Sequence, residues 1–126
     1  MRQPKRKYGN KKIEIDGVKF DSKKEAKRYG YLQLLEVLGE IKDLELQPRF
    51  ELIKGVKFSG DARAKPAMRY TADFAYTDVL TGERIIEDVK SEITKKSTDY
   101  KMRRHMMLAI HGIEVKEVWT TKQESV

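Results

Sequence analysis

Cysteine is absent from the chain, which excludes disulfides, thiolate zinc sites and a cysteine nucleophile, and fits a reducing compartment. Long apolar runs are missing too, and the start, Met1-Arg2-Gln3-Pro4-Lys5-Arg6-Lys7, lacks the apolar centre of a signal peptide. A cytoplasmic protein without membrane contact is expected. Histidine is scarce: His105 and His111 stand six residues apart on one expected helix, so they diverge in azimuth, make a poor metal pair and are expected at the surface. Acids are in deficit, 20 against 27 Lys and Arg, for a formal net charge of +7 and a pI near 9.5. That excess suits a polyanionic partner, nucleic acid first of all.

At 126 residues the chain has room for one domain around one core, and it carries no internal repeat. Residues 1–11 read as a basic tail, 12–120 as the single domain and 121–126 as a polar tail. Alternation from Ile13 to Phe20 around Asp16-Gly17 predicts a small β-hairpin. Asp21 or Ser22 then caps a helix over roughly 22–38, with Ala26, Tyr29, Leu32, Leu35, Val37 and Leu38 as its apolar positions and Gly39 as its stop. Leu44 to Ile53 alternates as a strand, in which Pro48 argues for an edge or a bulge. Residues 54–68 are rich in Gly, Pro and basic side chains, as in a loop or ragged hairpin extension that could lie along DNA. A second helix is expected from Ser97 or Thr98 to His111-Gly112, with Met102, Met106 and Met107 as core filling, followed by a strand over Ile113 to Trp119. Lys95, Lys96, Lys101, Arg103 and Arg104 form a basic run at that helix, expected to clamp a nucleic-acid backbone. Tyr100 is either a phosphate contact or a core anchor.

Two strands carry the chemistry. Tyr70 to Thr77 and Arg84 to Val89 are rich in β-branched and aromatic residues, and the Gly82 between them permits a tight reversal. If the loop is Thr81-Gly82 alone, Asp73 faces Lys90; if it is the four residues Val79 to Gly82, Asp73 faces Asp88. In either register Asp73, Asp88 and Lys90 share a face, because strand side chains alternate with period two. Two carboxylates so close repel unless a cation sits between them, and hard oxygen ligands suit Mg²⁺, with Mn²⁺ as a substitute. The lysine can then orient an attacking water and offset charge developing on a phosphate. The plainer reading makes Asp88 and Lys90 a solvated strand end and Asp73 a turn cap; a mid-strand position for Asp73 speaks against it.

Asp73 followed by Asp88-Val89-Lys90 resembles the PD-(D/E)XK motif of the restriction-endonuclease-like superfamily, with Ala72 where the motif's name has proline. The expected order of elements also resembles that α/β core: helix, three-stranded antiparallel sheet, helix, strand, here preceded by the small hairpin. Nearly the whole chain is similar to small phage-encoded endonucleases of the superfamily, through Phe20-Asp21-Ser22-Lys23-Lys24-Glu25-Ala26, Leu46-Gln47-Pro48-Arg49-Phe50 and Tyr70-Thr71-Ala72-Asp73-Phe74. The resemblance implies that Glu25 joins Asp73 and Asp88 at the metal, although Ser22-Lys23-Lys24-Glu25 is also a capping box; Gln47 is expected to be an ordinary hydrogen-bonding residue. It further implies Mg²⁺-dependent cleavage of DNA leaving a 5′-phosphate, by a homodimer in a phage-infected or lysogenic bacterium; the small size without a sequence-reading module favours branched DNA over a specific sequence as the target. The alternatives are a non-catalytic DNA-binding protein on the same fold and an RNA-processing nuclease.

Overall fold

A computed structural model of the chain describes residues 13–15, 17–20, 22–90 and 97–119. The tails, Asp21 and the pair Lys95 and Lys96 lie outside the described residues. The fold is mixed α/β. β1 (Ile13–Ile15) and β2 (Val18–Phe20) form the expected hairpin. α1 (Lys23–Val37) follows, with Ser22 as its cap and the left-handed Gly39 just beyond its end. Then come β3 (Ile41–Leu46), β4 (Arg49–Ile53), β5 (Met68–Thr71), β6 (Phe74–Asp78), β7 (Arg84–Lys90), α2 (Thr98–His111) and β8 (Lys116–Trp119). The main sheet has the order β3-β6-β7-β8, antiparallel except for the parallel pair β7 and β8. β4 and β5 pair separately as a two-stranded ribbon.

Two clusters form the core. Ala26, Tyr29 and Leu32 of α1 pack with Phe20, Ile41, Phe74 and Tyr76. Tyr29 stacks on Phe74 with ring centroids 6.3 Å apart, and Phe20 tilts against both rings. Enclosing side chains as completely as Leu32 and Phe74 contributes about 1.5–3 kcal/mol each. The second cluster joins Met107 of α2 to Leu52, Tyr70, Ala72, Ala75, Ile86 and Val115. Met106 packs at its margin, but Met102 is 57% exposed, so the methionine run is only partly core filling. α2 starts at its Ser97 cap and ends at Gly112, whose φ of 69° suits the left-handed position a glycine accepts without strain.

The stretches 44–53 and 70–77 are each two strands, not one. Gln47 adopts φ 52°, and Pro48 after it has no N–H to give a ladder. The facing segment turns with it. Gln47 N–H donates to Asp73 O at 2.9 Å and Ala72 N–H to Pro48 O at 3.0 Å, so the backbone groups stay paired through the bend. The break lets β4 and β5 leave the sheet and pack Phe50, Leu52 and Tyr70 against α2. Asp73 is therefore at the bend before β6 rather than mid-strand. The last strand likewise begins at Lys116, with Ile113 to Val115 leading into it and Val115 wholly buried.

Between β6 and β7 the loop is the four-residue one. Asp78 N–H donates to Glu83 O at 2.9 Å, and Asp78 Oδ1 accepts from the amides of Leu80 and Thr81. Phe74 pairs with Glu87, so Asp73 stands across from Asp88. Among the described residues no helix is long and apolar enough to cross a membrane.

Candidate active site

At the bend, each of the two aspartates is held by the other's strand. Asp73 N–H donates to Asp88 Oδ1 at 2.8 Å, and Val89 N–H donates to Asp73 Oδ2 at 2.8 Å. Asp88 is almost enclosed. Its Oδ2 accepts from the Tyr70 hydroxyl and stands 3.5 Å from Lys90 Nζ. Lys90, equally enclosed, lies with Nζ 3.5 Å from the centre of the Tyr100 ring, a cation–π contact. Tyr100 in turn donates to Glu117 Oε2 at 2.9 Å. It is thus the anchor of the two roles open to it, and burial together with the Glu117 contact pushes its phenol well above the usual range.

Burial raises the Asp88 carboxyl above its ordinary value. The Lys90 charge and the Asp73 amide oppose that rise, while Glu117 reinforces it. Desolvation wins because a carboxylate removed from water loses more than one ammonium at 3.5 Å returns.

A cleft of about 290 Å³ opens over these groups and brings Glu25, Asp73, Asp88, Lys90, Asp99 and Arg103 to one place. Glu25 arrives from the first turn of α1, where its amide donates to Ser22 Oγ at 3.2 Å. Arg103 arrives from α2, with its Nε 3.2 Å from both carboxylate oxygens of Asp99 and its Nη1 donating to Arg69 O. Lys101 and Arg104 belong elsewhere. They line a larger cavity, about 640 Å³, between α2 and the approach to β8. Arg104 donates there to Val115 O and pairs with Glu117 at 3.6 Å. Both histidines are exposed, and His111 Nε2 is anchored 2.7 Å from Glu51 O.

Two features escaped sequence reasoning. Tyr70, read only as a strand residue, closes over Asp88. On the opposite face of β7, Glu87 is completely buried and accepts from Arg28 Nε and Nη2 at 2.7 and 3.0 Å and from the Tyr76 hydroxyl at 2.6 Å. Arg28 is one turn from Glu25, and Glu87 adjoins Asp88. The fork of Arg28 on Glu87 therefore ties the helical wall of the cleft to its strand wall. An acid sharing its strand face with Ile85 and Val89, two residues to either side, was the available signal; its partner on α1 was not.

As a ligand set, carboxylates from the bend before β6, from β7 and from α1 offer hard oxygens. Among the described residues no three His, Cys, Asp or Glu side chains stand together closely enough to hold a metal ion. Mg²⁺ does not require an all-protein cage, since it commonly takes one or two carboxylates and keeps its waters. A family model described as "Protein of unknown function (DUF1064)" matches residues 5–125. No curated protein and no solved structure matches the chain.

Proposed function

The chain belongs to the DUF1064 family, and from the geometry of the cleft we propose that it is a Mg²⁺-dependent endonuclease hydrolysing DNA phosphodiesters on a restriction-endonuclease-like core. The observation that carries the reading is the placement of Lys90 Nζ 3.5 Å from Asp88, cross-strand from Asp73, in a cleft that Glu25 also lines. The order α1, antiparallel β3, β6 and β7, then α2 and a parallel β8 supports it.

Asp73, Asp88 and Glu25 would hold Mg²⁺, and the bound ion would supply Lewis acidity at a phosphate oxygen. The chain's own groups do the positioning. The Lys90 ammonium donates to the attacking water or to a phosphate oxygen as negative charge grows there. Arg103, held by Asp99 and the Arg69 carbonyl, is preset to receive a phosphate. The Tyr70 hydroxyl and the Asp73 amide fix the rotamer of Asp88, so little reorganisation is left for the reaction. A branched substrate and a homodimer that addresses two strands complete the proposal.

Linear, nicked, forked and four-way DNA, with matched RNA, should be incubated with Mg²⁺, Mn²⁺ or chelator. Cleavage of DNA that needs the divalent ion and is lost in Asp88→Ala supports the reading; preference for RNA moves the substrate class. The partnered state of the Asp88 oxygens favours one rival, a protein that binds DNA without cutting it. Binding with no cleavage of any substrate in either metal would establish that rival.

A further inference from the structure

The ribbon of β4 and β5 continues beyond its two strands into an outer hairpin. Val56 and Lys65 pair through reciprocal backbone bonds, Val56 N–H to Lys65 O at 3.1 Å and Lys65 N–H back to Val56 O at 2.6 Å. The two legs run so close that a Cβ on Gly55 would stand 2.7 Å from Lys65 O, which only glycine permits. At the tip, Asp61 N–H donates to Phe58 O at 3.0 Å with Gly60 at φ 88°, a turn that needs glycine at its third position. Asp61 Oδ2 then accepts from the Phe58 amide at 3.3 Å and lies 4.0 Å from Lys65 Nζ. The tip is a built turn, and it holds out a phenylalanine that is 63% exposed.

From residue 54 to 69 the cations are Lys54, Lys57, Arg63, Lys65 and Arg69, and Asp61, engaged as above, is the single acid. A second copy of this chain would bring the same cations against themselves. A polyanion complements them, and nucleic acid also offers a flat partner for the ring. β5 runs straight from the ribbon into Tyr70, whose hydroxyl bonds Asp88, and the Arg69 carbonyl holds Arg103 at the cleft. At about 3.3 Å per residue, Lys65 is no more than roughly 26 Å along the chain from Asp73, within one turn of a duplex.

We propose that this ribbon docks on the phosphodiester backbone beside the cleft and that Phe58 stacks on an unpaired or branch-point base, so that branched nucleic acid is preferred to continuous duplex. The proposal rests on the nuclease reading for its biological use, but binding without metal tests it independently of cleavage.

In chelator, the full chain and its Phe58→Ala and Phe58→Tyr variants should be titrated against forked DNA carrying 2-aminopurine at the branch, and against linear duplex of equal length. Wild type and Phe58→Tyr should quench the branch fluorophore and prefer the fork. Phe58→Ala should lose roughly ten- to a hundredfold in affinity for the fork, the range expected for one base–aromatic stack, with linear duplex unchanged. Lys57→Ala with Arg63→Ala, both at exposed positions, should weaken both DNAs and flatten the salt slope by about 0.9 for each phosphate no longer neutralised. Equal fork and duplex binding by wild type and Phe58→Ala overturns the wedge, as does a wild-type dimer that Phe58→Ala dissociates, which would make the ribbon a self-contact. Absence of cleavage with fork preference intact would sink the nuclease reading and leave the ribbon's role standing.

Discussion

Asp73 and Asp88 exchange hydrogen bonds across the β6–β7 pair: the Asp73 amide serves an Asp88 oxygen at 2.8 Å, and an Asp73 oxygen takes the amide that follows Asp88 at the same distance. Each carboxylate thereby takes a hydrogen bond from the backbone of the facing segment, and side chains, Tyr70 and Lys90, add to the hold on Asp88. The two carboxylates are held at one bend before any ligand arrives, and the Lys90 ammonium offsets part of the cost of burying Asp88 there.

Asp73→Ala, Asp88→Ala and Lys90→Ala should each lower the single-turnover cleavage rate at least about a hundredfold, the scale of losing one charge-placing group. DNA binding in chelator should persist, and should tighten in the acid variants because repulsion of phosphate is reduced. Wild-type rates in any one of the three would remove that residue from the mechanism.

Glu25 is tested by separating helix from cleft. Ser22→Ala should cost about 1 kcal/mol in chemical denaturation, since it removes the acceptor of the Glu25 amide. Glu25→Gln keeps the cap and should leave the melting temperature in place while cleavage falls sharply. Unchanged turnover would confine Glu25 to helix capping.

The raised Asp88 carboxyl gives a signed pH prediction. A carboxyl raised on folding contributes stability in its protonated form, fully present below its unfolded value near 3.8 and lost as pH rises through the folded one. The stability of wild type relative to Asp88→Asn should therefore decline as pH climbs from that value. At neutral pH, Mg²⁺ should raise the wild-type melting temperature and leave Asp88→Asn unmoved; a wild-type melt indifferent to millimolar Mg²⁺ would take Asp88 out of the ligand set.

Arg28→Ala leaves Glu87 buried without its cation and should destabilise the fold by about 3–5 kcal/mol, measured by urea unfolding. Arg28→Ala combined with Glu87→Gln should recover part of the loss, because the stranded charge is gone. Additive losses would mean that the two side chains act separately.

The two arginines on α2 should behave differently. Arg103→Ala should weaken binding to all DNA sequences alike and flatten the salt slope by about 0.9. Arg104→Ala, which releases Val115 O and Glu117, should lower stability and leave the slope unchanged. A sequence-selective loss in Arg103→Ala would argue against a phosphate contact.

Much of the local structure was legible because its causes are local. Ser22 and Ser97 cap the helices, Gly39 and Gly112 follow their ends, and β-branched and aromatic residues mark the strand that carries Asp88 and the one that begins just after Asp73. Pro48 argued for an edge or a bulge, whereas the stretch breaks into two strands at Gln47-Pro48 and the facing segment bends at Ala72-Asp73 as well. That depends on pairing with a strand more than twenty residues away, through bonds such as Gln47 N–H to Asp73 O.

The sequence alone determined which residues could share one face: the turn between β6 and β7 allowed two registers, and in both the side-chain alternation keeps Asp73, Asp88 and Lys90 together. Tertiary structure chose between the registers, brought Glu25 and Arg103 to the same cleft and sent Lys101 and Arg104 to another. It also matched Glu87 with Arg28, 59 residues away. Caps and alternation are written within a few residues of backbone. Burial of a charge, and the partner that makes it tolerable, exists only once the sheet and both helices have closed around it.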